Sequence, residues 1–354
     1  MTRIRITNCH VHTFTARHVP AFFPHPALWL FRQIPGLVRG LAFLARLIGQ
    51  YPAAETLDRL YQFTAESGLR RQSEVLRRLT FQYPGDTRFV VLPMELRPAG
   101  AGRVEADLRA QHDELAELAA SGDYAGRVLP FATIFPDHEG AAEEVRRCVE
   151  DLGFRGLKLY PPLGFAPDHP VLMNEVYPML AERGLPVMSH CSRGGVTGRG
   201  VVRARVERWT EPAAFKPVLR AFPDLKVCLA HFGGIDDWRA YVQDGLDPDD
   251  EAARARNWQV AIRDMITSGE FPNLWTDISY TLFHFDDYLP FLRIFLQDDR
   301  IADRVLFGSD YYMTRREALS ERAVCFRLRD ALGEELFARI AEKNPEIWLG
   351  ERKG

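Results

Sequence analysis

"RIRITNCHVHTF", residues 3–14, places His10 and His12 one residue apart just after an alternating polar–apolar opening. Successive side chains of a β-strand point to opposite faces, so residues i and i+2 share one. His10 and His12 therefore project side by side, and two imidazoles on one face can begin a metal site. A polar pair at a strand end, bonded to backbone or water, is the plainer alternative. The rest of the chain has to supply further donors.

Working outward, strand-like apolar runs recur: FVVLPMEL (89–96), VLPFATIF (128–135), FRGLKLY (154–160), LPVMSHC (185–191), KVCLAHF (226–232), NLWTDIS (273–279) and RVLFGSD (304–310). Helical patterns such as ADLRAQHDELAELAAS (106–121), EGAAEEVRRCVEDLG (139–153) and VYPMLAERG (176–184) separate several of them. Strands alternating with helices predict an α/β chain of parallel βα units closing into a (β/α)8 TIM barrel. A doubly wound open sheet is the alternative, but no GxGxxG follows the first strand. The gap from the first strand to the second, about 75 residues, far exceeds an ordinary βα connection. Residues 18–87 are therefore expected to form a helical insertion, or lid, within a single 1–354 barrel domain.

The 354 residues are 46% hydrophobic and 26% charged with net charge −3, an ordinary composition for a large folded core. The near-neutral balance gives no reason to expect nucleic acid as a partner. The N-terminus lacks the apolar run of a signal peptide, and five cysteines without a CxxC suggest a reducing, cytoplasmic setting. PALWLFRQIPGLVRGLAFLARLIGQ (26–50) is rich in Leu, Phe and Trp, yet Arg32, Arg39 and Arg46 interrupt it, and Pro35 and Gly36 break it. It reads as two amphipathic helices over the barrel mouth or at a subunit contact of a homo-oligomer, with no membrane span.

Barrel active sites lie at the C-terminal ends of the strands. Strand one ends in His10 and His12, strand five in His190, strand six in His231 and strand eight in Asp310, while strand four carries Lys158. Imidazole and carboxylate are the donors that zinc and related ions take. Each residue has an ordinary role open to it: a backbone-bonded histidine, or Asp310 capping a helix begun by SDYYMTRREAL. Jointly, such accidents would have to set five metal-type residues at strand ends. Cys9, Cys191 and Cys228 lie at odd spacings from His10, His190 and His231, so all three are expected to point outward, against the helices. His18, His25, His112, His138 and His169 read as loop or surface histidines. His284 has no assigned place.

Taken with "GFRGLKLYPP", "GLPVMSHCSRGG", "KVCLAHFGG", "LFGSDYY" and "EKNPEIWLG", the CHVH motif makes the chain resemble the amidohydrolase superfamily. The resemblance is to its amidohydrolase-related branch, which includes aminocarboxymuconate-semialdehyde decarboxylase. It implies one divalent ion, often zinc, with His10, His12, His190 and Asp310 as ligands. It further implies His231 and Asp310 as the catalytic groups beside the open position. Lys158 has three readings: a carboxylated bridge to a second metal, a cation for substrate, or a lysine whose head reaches solvent. Tyr160, Arg193, Asp277 and Ser279 are substrate-contact candidates. The expected function is a metal-dependent hydrolase acting on a small organic substrate such as a lactone or amide. A non-oxidative decarboxylase of a small carboxylic acid is the alternative, and a non-catalytic binding or scaffold barrel is the third reading.

Overall fold

Eight short parallel strands, each contributed by one of the apolar runs, build the centre of the computed structural model. It describes residues 3–23, 34–54, 57–58, 61, 65, 68–247, 249–281, 285–313 and 320–352. The strands are β1 (Thr7–Val11), β2 (Arg88–Val91), β3 in two pieces (Val128–Pro130 and Ala132–Thr133), β4 (Leu157–Leu159), β5 (Val187–Ser189), β6 (Val227–Leu229), β7 (Leu274–Asp277) and β8 (Val305–Leu306). Neighbours in the chain pair in parallel throughout. The ring is joined between its ends by backbone bonds from Cys9 N–H to Phe307 O (2.8 Å) and from Asp310 N–H to His10 O (2.8 Å), with Val11 bridged to Tyr311. This is the expected (β/α)8 barrel.

Two apolar clusters divide the strand residues by parity. Phe89, Val91, Leu157, Leu159, Val187, Val227 and Leu274 pack outward with helix residues such as Leu115, Val145 and Leu180. Val90, Leu129, Phe131, Met188, Trp275 and Leu306 form the second cluster, joined by Trp348 of the C-terminal helix Asn344–Trp348. In register, Lys158 pairs with Met188, Met188 with Cys228 and Cys228 with Trp275, so Lys158 shares the inward face. At Gly156 a β-carbon would lie 2.5 Å from the Phe131 ring, so only glycine leaves that ring its place.

Parity also corrects the cysteines. Cys191 packs outward as expected, but Cys9 and Cys228 belong to the inner cluster. Alternation fails at two points. A register shift lies between Asn8 and Val11, and His231 has φ +69°, which turns it back inward after Ala230. All three cysteines are fully buried, as small hydrophobes are. His112 is corrected too, and His18, in the loop turn Ala16–His18, is no surface residue. Both are buried, His112 on the inner side of the helix Leu108–Ala120.

Between β1 and β2 the chain forms the helices Pro35–Leu47 and Gln72–Thr80. Pro35 opens its helix at the first position, where a missing N–H costs nothing. Residues 26–33 and both His25 and His284 lie outside the described residues. Among the described residues no helix is long and apolar enough to cross a membrane.

Candidate active site

The strands stop short of the polar residues they present. His190, His231 and Asp310 sit one to four positions beyond the last paired residue of β5, β6 and β8, on turns. His231 and Asp310 both adopt left-handed backbone, φ +69° and +60°, which costs a bulky residue about 1–2 kcal/mol. Hydrogen bonds offset this: His231 N–H donates to Asp277 Oδ1 (2.9 Å) and Asp310 N–H to the His10 carbonyl. Gly308 permits the approach of these segments, since a β-carbon there would lie 2.7 Å from His10 Cβ.

Tautomers follow from partners that can only accept. His12 Nδ1 faces the Leu92 carbonyl at 2.7 Å, and His10 Nδ1 faces Asp277 Oδ2 at 2.8 Å. Each Nδ1 therefore carries the proton, and each Nε2 keeps its lone pair. Those lone pairs converge on Asp310 Oδ1, 3.1 Å from His12 Nε2 and 3.6 Å from His10 Nε2. His10, His12 and Asp310 are all buried, and their ligand atoms lie within 4.8 Å of one another. The Lys158 ammonium donates to His10 Nε2 at 3.3 Å, a cation directed at one of the same lone pairs. The donor set fits a divalent ion: two neutral imidazoles of fixed tautomer and one carboxylate.

His231 and His190 stand beside this group. His231 Nδ1 lies 2.9 Å from Ser279 Oγ, whose hydroxyl donates to Asp277 Oδ1, so its Nε2 is turned to His190 Nδ1 at 3.1 Å. His190 stacks on Tyr160 with centroids 4.6 Å apart, and Ser192 Oγ is 3.2 Å from its Nε2. Burial, reinforced by the Lys158 charge, pushes His190 down to about 3. Burial also drives His10 and His231 well below the usual histidine range. Lys158 falls to about 8 through burial, opposed by Asp310 and Asp277. These imidazoles are neutral at physiological pH, as metal ligands and proton acceptors must be.

Three substrate-contact candidates have other occupations. Asp277 is fully buried, and its two oxygens serve His10, the His231 N–H and Ser279. Ser279 Oγ bridges His10 and His231. Both hold imidazole rings in place. Arg193 turns away from the cluster: its guanidinium bonds Asp237 (2.9 Å) and the Arg256 carbonyl (2.8 Å) and lies over the Trp258 ring. A glycine-rich loop offers no barrier to this docking, so sequence alone did not fix where the arginine points. Tyr160 stays at the site margin, its oxygen accepting the Val196 N–H at 3.1 Å. Above it, a β-carbon at Gly195 would collide with the Tyr160 hydroxyl (2.4 Å) and approach His190. Ser192, Gly195 and Gly308 were legible as motif letters without roles. The Leu92 carbonyl that holds His12 has no sequence signal, being backbone.

A second histidine cluster lies between helices. His112 Nδ1 donates to Glu144 Oε1 (2.8 Å), with Cys148 Sγ 3.2 Å from the same nitrogen. His112 Nε2 accepts the Thr133 N–H at 3.2 Å. A metal on Nδ1 would require Nε2 to remain unprotonated, an imidazolate, so this group is a structural network.

Residues 70–350 match the model of the family described as Amidohydrolase. Comparison with curated proteins finds no match. Among solved structures, an uncharacterized TIM-barrel protein of Bordetella bronchiseptica is 19% identical with TM-score 0.55, covering 98% of this chain and 99% of its own. The 5-carboxyvanillate decarboxylase of Sphingomonas paucimobilis is 14% identical, TM-score 0.55, with coverage of 98% and 99%. A 5-carboxyvanillate decarboxylase mutant of Novosphingobium aromaticivorans, with bound manganese and 3-methoxy-4-hydroxy-5-nitrobenzoic acid, is 16% identical, TM-score 0.56, with coverage of 98% and 97%. At these identities the likeness concerns the fold.

Proposed function

Because the chain belongs to the amidohydrolase family, we propose that it is a metal-dependent hydrolase of a small organic substrate carrying a lactone, amide or similar carbonyl. The observation that carries this reading is the convergence of His10 Nε2, His12 Nε2 and Asp310 Oδ1, with both Nδ1 protons committed elsewhere. In this reading those three residues and His190 hold one divalent ion, with zinc as the expected metal. The ion supplies Lewis acidity and an acidified water when bound.

The chain's own residues do the rest. Asp277 and Leu92 fix the ligand tautomers. Ser279 holds the Nδ1 side of His231, so that its Nε2 faces the site and can accept a proton. Asp310, its carboxylate already at the ligand cluster, can take a proton and return it to the leaving group. Lys158 is a cation at the barrel axis suited to a substrate carboxylate or polarised oxygen; its carboxylation would instead create a second metal site. Tyr160 borders the space above. Residues 18–87 are read as an insertion within one 1–354 domain.

A second reading, non-oxidative decarboxylation on the same ligands, is favoured by the two decarboxylases of matching fold, one holding manganese. Metal analysis of chain purified without chelator, followed by assays on lactones, amides and aromatic carboxylates, tests both. About one metal per chain with ring or amide opening supports hydrolysis, whereas CO₂ release supports decarboxylation. A metal-free chain that neither binds zinc or manganese nor turns over any substrate class would overturn both and favour a scaffold.

A further inference from the structure

The helix Pro35–Leu47 rests on the protein along a thin stripe in which Val38 and Ala42 are buried. Among the described residues the adjoining stripe is uncovered. Ile34, Leu37, Leu41, Leu44 and Ile48 are exposed by 53%, 37%, 37%, 55% and 74%. They follow one another at spacings of three, four, three and four residues. This alternation keeps Leu37, Leu41 and Leu44 on a single line of the helix, with the cap residues Ile34 and Ile48 at its two ends, and is the pattern of a helix-on-helix seam. Leu47 and, past the helix end, Tyr51 extend it, and Phe43 is exposed on the flank of the helix.

We propose that this seam is the contact surface for a second copy of the chain, the two Pro35–Leu47 helices packing antiparallel about a twofold axis near Leu41. Three observations select that occupant. The five seam side chains offer on the order of 500 Å² per chain and the three flanking ones raise this to at most about 900 Å², against about 800 Å² per partner in a standard protein interface. Patches of that size rarely stay bare on a monomer. The cations are also spent. Arg39 lies over the Tyr61 ring at 5.4 Å, and Arg46 pairs with Asp58. A helix lying on an anionic membrane instead directs its arginines at the headgroups. Finally, the seam itself carries no charge, so two copies meet without repulsion, and a twofold contact requires one patch that complements itself. The inference is independent of the reaction at the barrel mouth.

Sedimentation velocity on the full chain, from about 0.1 to 50 µM to cover concentration-dependent association, tests it. The parent chain is expected to be a dimer at the upper concentrations, and the Leu37→Glu/Leu44→Glu variant a monomer with unchanged far-UV circular dichroism. Should that variant fail to fold, single Leu41→Cys decides. Near a twofold axis it meets its own copy at disulfide distance, so copper-phenanthroline oxidation gives a covalent dimer that thiols reverse. Phe81→Cys, exposed elsewhere, stays monomeric. The parent cysteines add little background, four being buried and Cys325 partly so. A parent chain monomeric throughout, or a dimer that survives Leu37→Glu/Leu44→Glu with no Leu41→Cys cross-link, would overturn the proposal. So would a monomer that binds phosphatidylserine vesicles and loses that binding in the double variant.

Discussion

His10, His12 and Asp310 at the barrel mouth and His112, Glu144 and Cys148 between the helices are built from the same kinds of side chain at similar distances. They differ in where the lone pairs go. At the mouth, Leu92 and Asp277 take the Nδ1 protons and leave two Nε2 atoms beside a carboxylate oxygen, one of them shared with the side-chain ammonium of Lys158 and neither tied to a backbone N–H. Between the helices, the Thr133 N–H takes the only lone pair that His112 has, and Arg147 and Arg109 take up Glu144. Composition and proximity therefore do not define a metal site. The hydrogen bond on the far side of the ring does.

Breaking the first cluster has the largest expected effect. His10→Ala or His12→Ala removes a donor, so metal content should fall towards zero and turnover by roughly 10³-fold or more, while circular dichroism stays that of a folded barrel. Full metal occupancy in either variant would contradict the assignment. Next comes His231→Asn. If His231 is a proton-transferring group and no principal ligand, the chain keeps about one metal while the rate falls about 10²-fold. Two metals in the parent and one in the variant would instead point to a carboxylated Lys158.

The second cluster should respond in stability alone. His112→Ala leaves the Thr133 N–H and part of Glu144 without partners in a small cavity, a loss of about 3 kcal/mol. Urea unfolding measures the loss, and metal content should not move. A drop in metal content would erase the contrast between the clusters. The smallest effect is one of pH. Burial opposes ionisation of Glu144, yet His112 and Arg147 prevail and hold it down to about 2. Its folded value lies below its unfolded one, so its contribution is complete above about pH 4.5 and fades as pH falls towards 2. In Glu144→Gln that part of the acid-side slope in an unfolding titration should vanish.

The barrel was legible because its strands are apolar runs spaced by helices, and because the site residues fall where a barrel presents them. What escaped was local geometry. Face counting puts Cys228 outside only if His231 continues the strand, and a left-handed residue leaves no mark in the letters HF. His112 looked like a surface residue on a charged helix, because its partners Glu144 and Thr133 come from other elements. Arg193 follows His190 closely in the chain, yet Asp237 and Trp258, more than 40 residues on, decide its direction.

The seam between β1 and the segment after β8 sets the order of events during synthesis. Asn8 bonds Ser309 both ways, side chain to side chain and through the Ser309 N–H, across a separation of 301 residues. The first strand, with His10 and His12, leaves the ribosome first and waits with one edge unpaired until residues 307–311 emerge. Ring closure and assembly of the donor set are thus one late step. A chain arrested before Asp310 lacks both, and one begun at residue 70, where the family match starts, lacks the strand that closes the barrel and two of the three converging donors.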